Sequence, residues 1–492
     1  MSARWNTRDR STRPHSLLFP ILPHTIASRV DAALMDTTMR GFVSGTTTLK
    51  DEARPRALEA AFGPQPVVDS LRRLAGERKR QTLAELDHWL EVFADTAAAH
   101  GTSVHFAATA DDANAIVLNI AARLGVTTAV KAKSMVTEEL GLLDCMLAAG
   151  IDTIETDLGE LVLQLDDDAP SHLVTPMIHK DREAAARALD RLESASTPPL
   201  PADPQTLTRR ARHHLRERFR KADLGITGAN FLVAETGEIV TCTNEGNGRL
   251  SAMCPRVHIA VTGIEKVVPD MHDLALYLEL LAKSSTGQPL TVYTSFVRSP
   301  RQPDEADKSI GPDEVHVVLV DNGRSRVLAE PEFRDALGCI RCGACLNACP
   351  IYRTVGGHAY GSVWPGPIGA VLTPLMRGEA NYPDHAWAST LCGACREACP
   401  IDIDLPQMLV ALRTRAHRQK TTPTRLRMGL RVLRFFMGGR LRWRFAMAMA
   451  GLAATLKLGP TRSFASHGRT LPPPAKPRFS RYWKRMSKRG SA

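Results

Sequence analysis

At 492 residues with 43% hydrophobic side chains, the chain can bury two or three cores, and it lacks the uninterrupted apolar stretch of about twenty residues that a membrane-spanning helix needs. Its net charge of +11 is uneven: residues 411–492 hold 21 Lys and Arg and no Asp or Glu, leaving −10 on the 410 residues before them. No nucleic-acid module accompanies this basic block, and no dinucleotide fingerprint, Walker A loop, H-E-x-x-H or G-x-S-x-G motif occurs, so none of those chemistries is expected.

The first 45 residues are basic and rich in Ser and Thr, without an apolar core followed by a cleavage site. Residues 1–58 are therefore predicted to be a disordered or basic extension, and residues 59–100 a helical segment with Leu83, Leu86, Trp89, Leu90 and Phe93 on one face. Residues 101–328 change texture. Strands are predicted at Val104–Ala107, Thr127–Val130, Asp152–Thr156 and His172–Val174, with a helix over Asp111–Leu124. A hairpin is expected from Phe231–Ala234 and Ile239–Thr243 around Glu235-Thr236-Gly237, and further strands at Val257–Val261, Leu290–Phe296 and Val315–Val320 with a helix over Asp270–Leu281. The alternation of strands and helices gives an α/β layer structure.

Seven of the ten cysteines lie in two runs, Cys339-x2-Cys342-x2-Cys345-x3-Cys349-Pro350 and Cys392-x2-Cys395-x3-Cys399-Pro400. Three thiolates at this interval wrap one cubane cluster while the cysteine before the proline reaches across to a second. The spacing assigns Cys339, Cys342, Cys345 and Cys399 to cluster 1, and Cys349, Cys392 and Cys395 to cluster 2. A zinc ribbon is the competing reading, but zinc needs only four ligands and leaves the Cys-Pro endings without a role. The position corresponding to Cys339 in the second run is Ser389, so cluster 2 is one thiolate short. Ser389, His385, His358, a partner's residue and water are all open as its fourth ligand, and so are a three-iron [3Fe-4S] cluster and an open iron that binds a hydroxy acid. About forty residues separate the runs, wider than in a compact ferredoxin, so residues 329–410 are expected to be a helical two-cluster domain. Residues 411–492 form a basic extension with short helices near Arg425–Met437 and Leu441–Leu456, suited to packing on protein or to a peripheral contact with anionic lipid. Cys145, Cys242 and Cys254 read as buried free thiols.

Beyond the cysteines, the sequence resembles the iron–sulfur subunit family called lactate utilization protein B. The resemblance rests on Lys131-Ala-Lys133-Ser134-Met135-Val-Thr137-Glu138-Glu139, Glu155-Thr156-Asp157-Leu158-Gly159-Glu160, Ile178-His179-Lys180-Asp181, Gly225-Ile-Thr-Gly228-Ala-Asn230, Ala234-Glu235-Thr236-Gly237, Thr243-Asn244-Glu245-Gly246-Asn247 and Gly357-His358-Ala-Tyr360-Gly361. It implies an α/β domain similar to the sugar-phosphate isomerase and coenzyme A transferase fold, then a helical dicluster domain with two [4Fe-4S] clusters. It further implies an electron-transfer subunit of a complex oxidising L-lactate to pyruvate, with the other subunits as partners. The alternatives are the same role for another 2-hydroxy acid or glycerol phosphate, and a ligand-binding redox sensor. Cluster thiols need a reducing compartment, so a cytoplasmic location is expected, with peripheral contact at the inner face of the membrane as a further option. No catalytic residue is assigned. The polar groups of the α/β motifs, Lys131, Lys133, Glu138, Glu139, Glu155, Asp157, His179, Lys180, Asn230, Glu235, Asn244, Glu245 and Arg249, are candidates for binding a small anion or a partner, with His179 and Lys180 as base and anion anchor.

Overall fold

The computed structural model of the protein describes residues 26–192, 199–302, 311–419 and 424–455, together with Tyr482, Trp483 and Met486. Most of the first 25 residues' and the last 37 residues' expected extension thus lies outside the described residues. Ten strands are described: β1 Ser103–Ala107, β2 Thr128–Lys131, β3 Asp152–Glu155, β4 Leu224–Thr227, β5 Phe231–Val233, β6 Glu238–Thr243, β7 Val257–Gly263, β8 Val267–Val268, β9 Tyr293–Val297 and β10 Glu314–Val320. Six form a parallel sheet in the order β1-β10-β7-β4-β2-β3, and four form a mixed sheet in the order β8-β5-β6-β9.

The central parallel strands are apolar on both faces because helices cover both. Every residue of β7 is buried, and so is every residue of β10 after Glu314. The covering helices start where a side chain takes up their free N–H groups. Thr109 and Asp112 form a reciprocal capping box for the helix Ala110–Arg123, Asp157 caps Leu158–Asp166, and Asp270 caps Met271–Thr286. The expected hairpin is antiparallel, with Phe231 opposite Val240 and Leu232 opposite Ile239.

Several expectations are corrected. Residues 26–58 are not a disordered extension but helical, in Ile26–Met35 and Thr37–Phe62, because Val43, Thr47 and Leu58 are buried against the rest of the protein. His172–Val174 is not a strand. The His172 ring accepts the backbone N–H groups of Val174 and Thr175 at 3.0 and 3.1 Å, which turns the chain and takes the donors a sheet ladder would use. Strand β4, Leu-Gly-Ile-Thr, has no alternation to betray it, yet all four residues are buried.

The α/β layers and the cysteine-bearing segment belong to one compact unit, Met1–Ala416, and are joined by buried charge. Arg324, fully buried, donates to both Glu139 oxygens at 3.0 Å and to Glu265 at 2.7 Å. Arg341 of the first cysteine loop also donates to Glu265, at 3.1 Å, and Trp364 donates to Glu139 at 2.9 Å. Burial alone would raise the Glu265 carboxyl, but Arg324 and Arg341 outweigh it and hold it at about 2. The remaining unit, from His417, contains the helices Thr424–Met437 and Arg440–Thr455, which pack on each other with Arg442 over the Phe435 ring.

Removing a partner from a buried ion network leaves uncompensated charge, so Arg324→Ala is expected to destabilise the protein by about 3–5 kcal/mol. Urea unfolding would read this as a lower midpoint. Arg324→Lys should recover only part, because an ammonium lacks the fork that spans two carboxylates.

Candidate metal centre

The two cysteine runs fold into nearly identical loops. In the first, Arg341 (φ 62°) and Gly343 (φ 77°) adopt left-handed backbone, and the helix Ala344–Ala348 follows, closed by Cys349. In the second, Leu391 (φ 56°) and Gly393 (φ 90°) do the same before Ala394–Ala398 and Cys399. Glycine suits those turns because a Cβ is strained at positive φ. A Cβ on Gly343 would also stand 3.2 Å from the His172 ring. The prolines after Cys349 and Cys399 end each helix at the cysteine, whose backbone is extended in both loops. The two short helices pack directly on each other, which brings the loops face to face.

Cys339, Cys342, Cys345 and Cys399 line one cavity, otherwise walled by apolar groups such as Leu173, Ile368, Ile403 and Leu405. Cys399 thus crosses from the second run to the sulfurs of the first. Cys349 of the first run lies within electrostatic reach of Cys392 and Cys395 of the second. Four cysteines from two runs around one apolar cavity are a donor set that fits an iron–sulfur cluster.

Backbone N–H groups point at the sulfurs: Arg341 to Cys339 at 3.4 Å, Tyr352 to Cys349 at 3.5 Å and Ile403 to Cys399 at 3.4 Å. Such donors stabilise sulfur-centred negative charge and tune cluster potential. Two buried lysines, Lys79 and Lys266, lie within electrostatic reach of Cys339, and burial, followed by repulsion from Arg341, brings Lys266 down to about 7. No sequence motif signals Lys79 or Lys266, since each enters from a distant element.

The residues match the LUD domain family over residues 90–320 and the 4Fe-4S dicluster domain over residues 335–403. Lactate utilization protein B of Shouchella clausii is 40% identical over 483 residues, covering 94% of this chain and 98% of that protein. The chain belongs to the lactate utilization protein B family. The protein of that name from Bacillus velezensis is 44% identical over 393 residues, covering 80% of this chain and 79% of its own length. An uncharacterized electron transport protein of Escherichia coli is 45% identical over 353 residues, covering 70% and 73%. With the dicluster match and the cage of thiols, this member of the family is an iron–sulfur protein with a mixed α/β domain ahead of its cluster domain.

The polar candidates of the LUD domain have mostly structural partners. Lys131 is buried with its ammonium 2.6 Å from Glu155 and 3.1 Å from Glu138, and burial lifts the nearby Glu160 to about 7. Glu139 holds Arg324, Asp157 is a helix cap, and Lys133 donates to the Leu173 carbonyl. Asn230 accepts the Cys242 N–H, Asn244 contacts Gln288, Glu245 accepts from Asn247, and Arg249 lies over the Tyr293 ring. Glu235 is held through its backbone N–H on Pro269. His179 and Lys180 do come together with His358 from the cluster domain, but around Asp168, whose carboxylate lies 3.0 Å from the His179 ring and 2.7 Å from Lys180. Their charge is answered within the protein, which argues against an anion anchor there. The expectation of three buried thiols is corrected in part: Cys254 is exposed, while Cys145 and Cys242 are half-buried.

Burial raises the thiols of Cys342 and Cys345 and brings Cys399 to about 11, whereas Thr390 and the Ala394 N–H lower that of the exposed Cys392. In metal-free protein, iodoacetamide is therefore expected to modify Cys392 first. Peptide mapping should find Cys342, Cys345 and Cys399 labelled only after denaturant is added.

Proposed function

We propose that the chain is the electron-carrying subunit of a complex that oxidises L-lactate to pyruvate, holding two four-iron clusters and passing electrons towards a respiratory acceptor. The observation that carries this reading is the crossover of Cys399 into the cavity of the first cysteine run, within a chain of the lactate utilization protein B family. Bound clusters would supply reversible one-electron acceptance. Cys339, Cys342, Cys345 and Cys399 would hold the first, and Cys349, Cys392 and Cys395 the second. Oxidation of an alcohol to a ketone removes two electrons, so a partner subunit is assigned the first acceptor.

The burial of the cysteines supports a direction. Of the seven cysteines only Cys392, in the second run, is exposed, which favours that corner as the one that meets an electron-transfer partner. The separate helical pair after His417 presents Leu433, Phe435, Leu441, Trp443 and Phe445 exposed among arginines, a composition suited to another subunit or to an anionic membrane surface. No described helix is long and apolar enough to cross a membrane.

Cys342→Ser is expected to remove the first cluster and abolish electron flow from lactate while leaving the α/β layers folded. Electron paramagnetic resonance of the anaerobic complex, with L-lactate and then dithionite as reductant, checks it. Full lactate-dependent cluster reduction in that variant would sink the proposal.

A further inference from the structure

We infer that Ser389 supplies an oxygen ligand to the fourth corner of the second cluster. The inference rests on the two-cluster reading above and assigns the one position that the cysteines leave open.

The argument is the near-superposable geometry of the two loops. Cys339 Sγ accepts the N–H of the residue two positions on, Arg341, at 3.4 Å; Ser389 Oγ accepts the N–H of the residue two positions on, Leu391, at 3.1 Å. Arg341 and Leu391 share the left-handed conformation, as do Gly343 and Gly393. The Ala344 N–H is directed to Cys342 and the Ala394 N–H to Cys392, in matching positions. Each short helix then ends on a cysteine of the same extended backbone, Cys349 at ψ 119° and Cys399 at ψ 119°. The hydroxyl of Ser389 therefore stands, relative to its loop, where the Cys339 sulfur stands relative to the first. Arg413 fixes the segment from behind by donating to the carbonyls of Ala386 and Ser389, both at 2.8 Å.

The other side chains nearby fit less well. His358 Nε2 is 2.8 Å from the Ala169 carbonyl and packs on His179, so its ring is engaged away from the cysteines. His385 is buried with neither ring nitrogen hydrogen-bonded, but it lies four residues before the loop, with its ring edge-on to Tyr382 and Tyr360. Ser389 is half-buried and neighbours the exposed Cys392, so water reaches this corner. When the iron–oxygen bond forms, the serine O–H bond breaks and its proton leaves to that water. No electron is exchanged in the step. An alkoxide is a harder donor than a thiolate and favours the ferric state, which lowers the reduction potential of the site that carries it.

The test compares the anaerobically loaded full-length protein with its Ser389→Ala, Ser389→Cys and His385→Ala variants by iron and sulfide content, Mössbauer spectroscopy and redox-titrated electron paramagnetic resonance. The wild type is expected to show two four-iron clusters. Ser389→Ala should lose one iron and gain the signal of an oxidised three-iron cluster. Ser389→Cys should retain all the iron and raise the midpoint potential of one cluster only, while His385→Ala should leave the iron content unchanged. A three-iron signal in the wild type, unaltered iron in Ser389→Ala, or loss of iron in His385→Ala would each overturn the serine ligand while leaving the two-cluster reading intact. A wild type that binds a single cluster, or none, would overturn that reading and the ligand with it.

Discussion

The arrangement of this protein depends on one buried ion network. Arg324 leaves the end of the parallel sheet and sits, without solvent, between Glu139 of the second layer and Glu265 beyond β7. Two carboxylates and one guanidinium would leave negative charge in a low-dielectric interior, which is costly. Arg341, which belongs to the first cysteine loop, adds a cation to this group alongside Lys266. The buried carboxylates of the α/β core thus draw part of their countercharge from the cluster domain. Folding of the sheet and placement of the first metal site are coupled by electrostatics rather than by a hydrophobic seam alone.

The same network gives the first site its character. Lys79 reaches it from the helix Gln65–Ala84, donating to the carbonyls of Glu265 and Val267, and Lys266 follows Glu265 directly. Arg72, on the same helix, donates to the carbonyls of Cys399 and Arg396. One helix therefore holds the sheet with one residue and the second cysteine loop with another. Its cations and the backbone N–H groups favour added negative charge at the first site, three of whose cysteines are buried. In the second run Cys392 is exposed, while Cys349 and Cys395 are buried.

Much of the LUD domain's polar sequence serves this scaffold. Lys131 among three glutamates, Glu139 on Arg324, and Asp168 between His179, Lys180 and His358 each join segments far apart in the chain. The pairing of the His179 and His358 motifs is instructive, because it explains both without a substrate: they meet at the seam between the α/β layers and the cluster domain, where Gly357 N–H also donates to Ser171 Oγ at 3.0 Å.

The sequence by itself determined the chemistry and the local elements. Cysteine spacing is a short-range property, and the Cys-Pro endings fix where each loop turns, so the crossover of Cys399 was legible without coordinates. The apolar strands β7 and β10 and the helix from Asp270 were legible for the same reason. What lay outside reach was set by distant contact. The helix Thr37–Phe62 carries a glycine-, threonine- and arginine-rich sequence with little apolar pattern, and is ordered by packing on the helices Met271–Thr286, Ala344–Ala348 and Pro350–Val355. His172–Val174 has strand composition, but a side-chain ring captures the backbone donors. The lysines near Cys339 and the pairing of His179 and Lys180 with Asp168 were decided only in three dimensions, because a charge's role depends on which opposite charge the fold brings beside it.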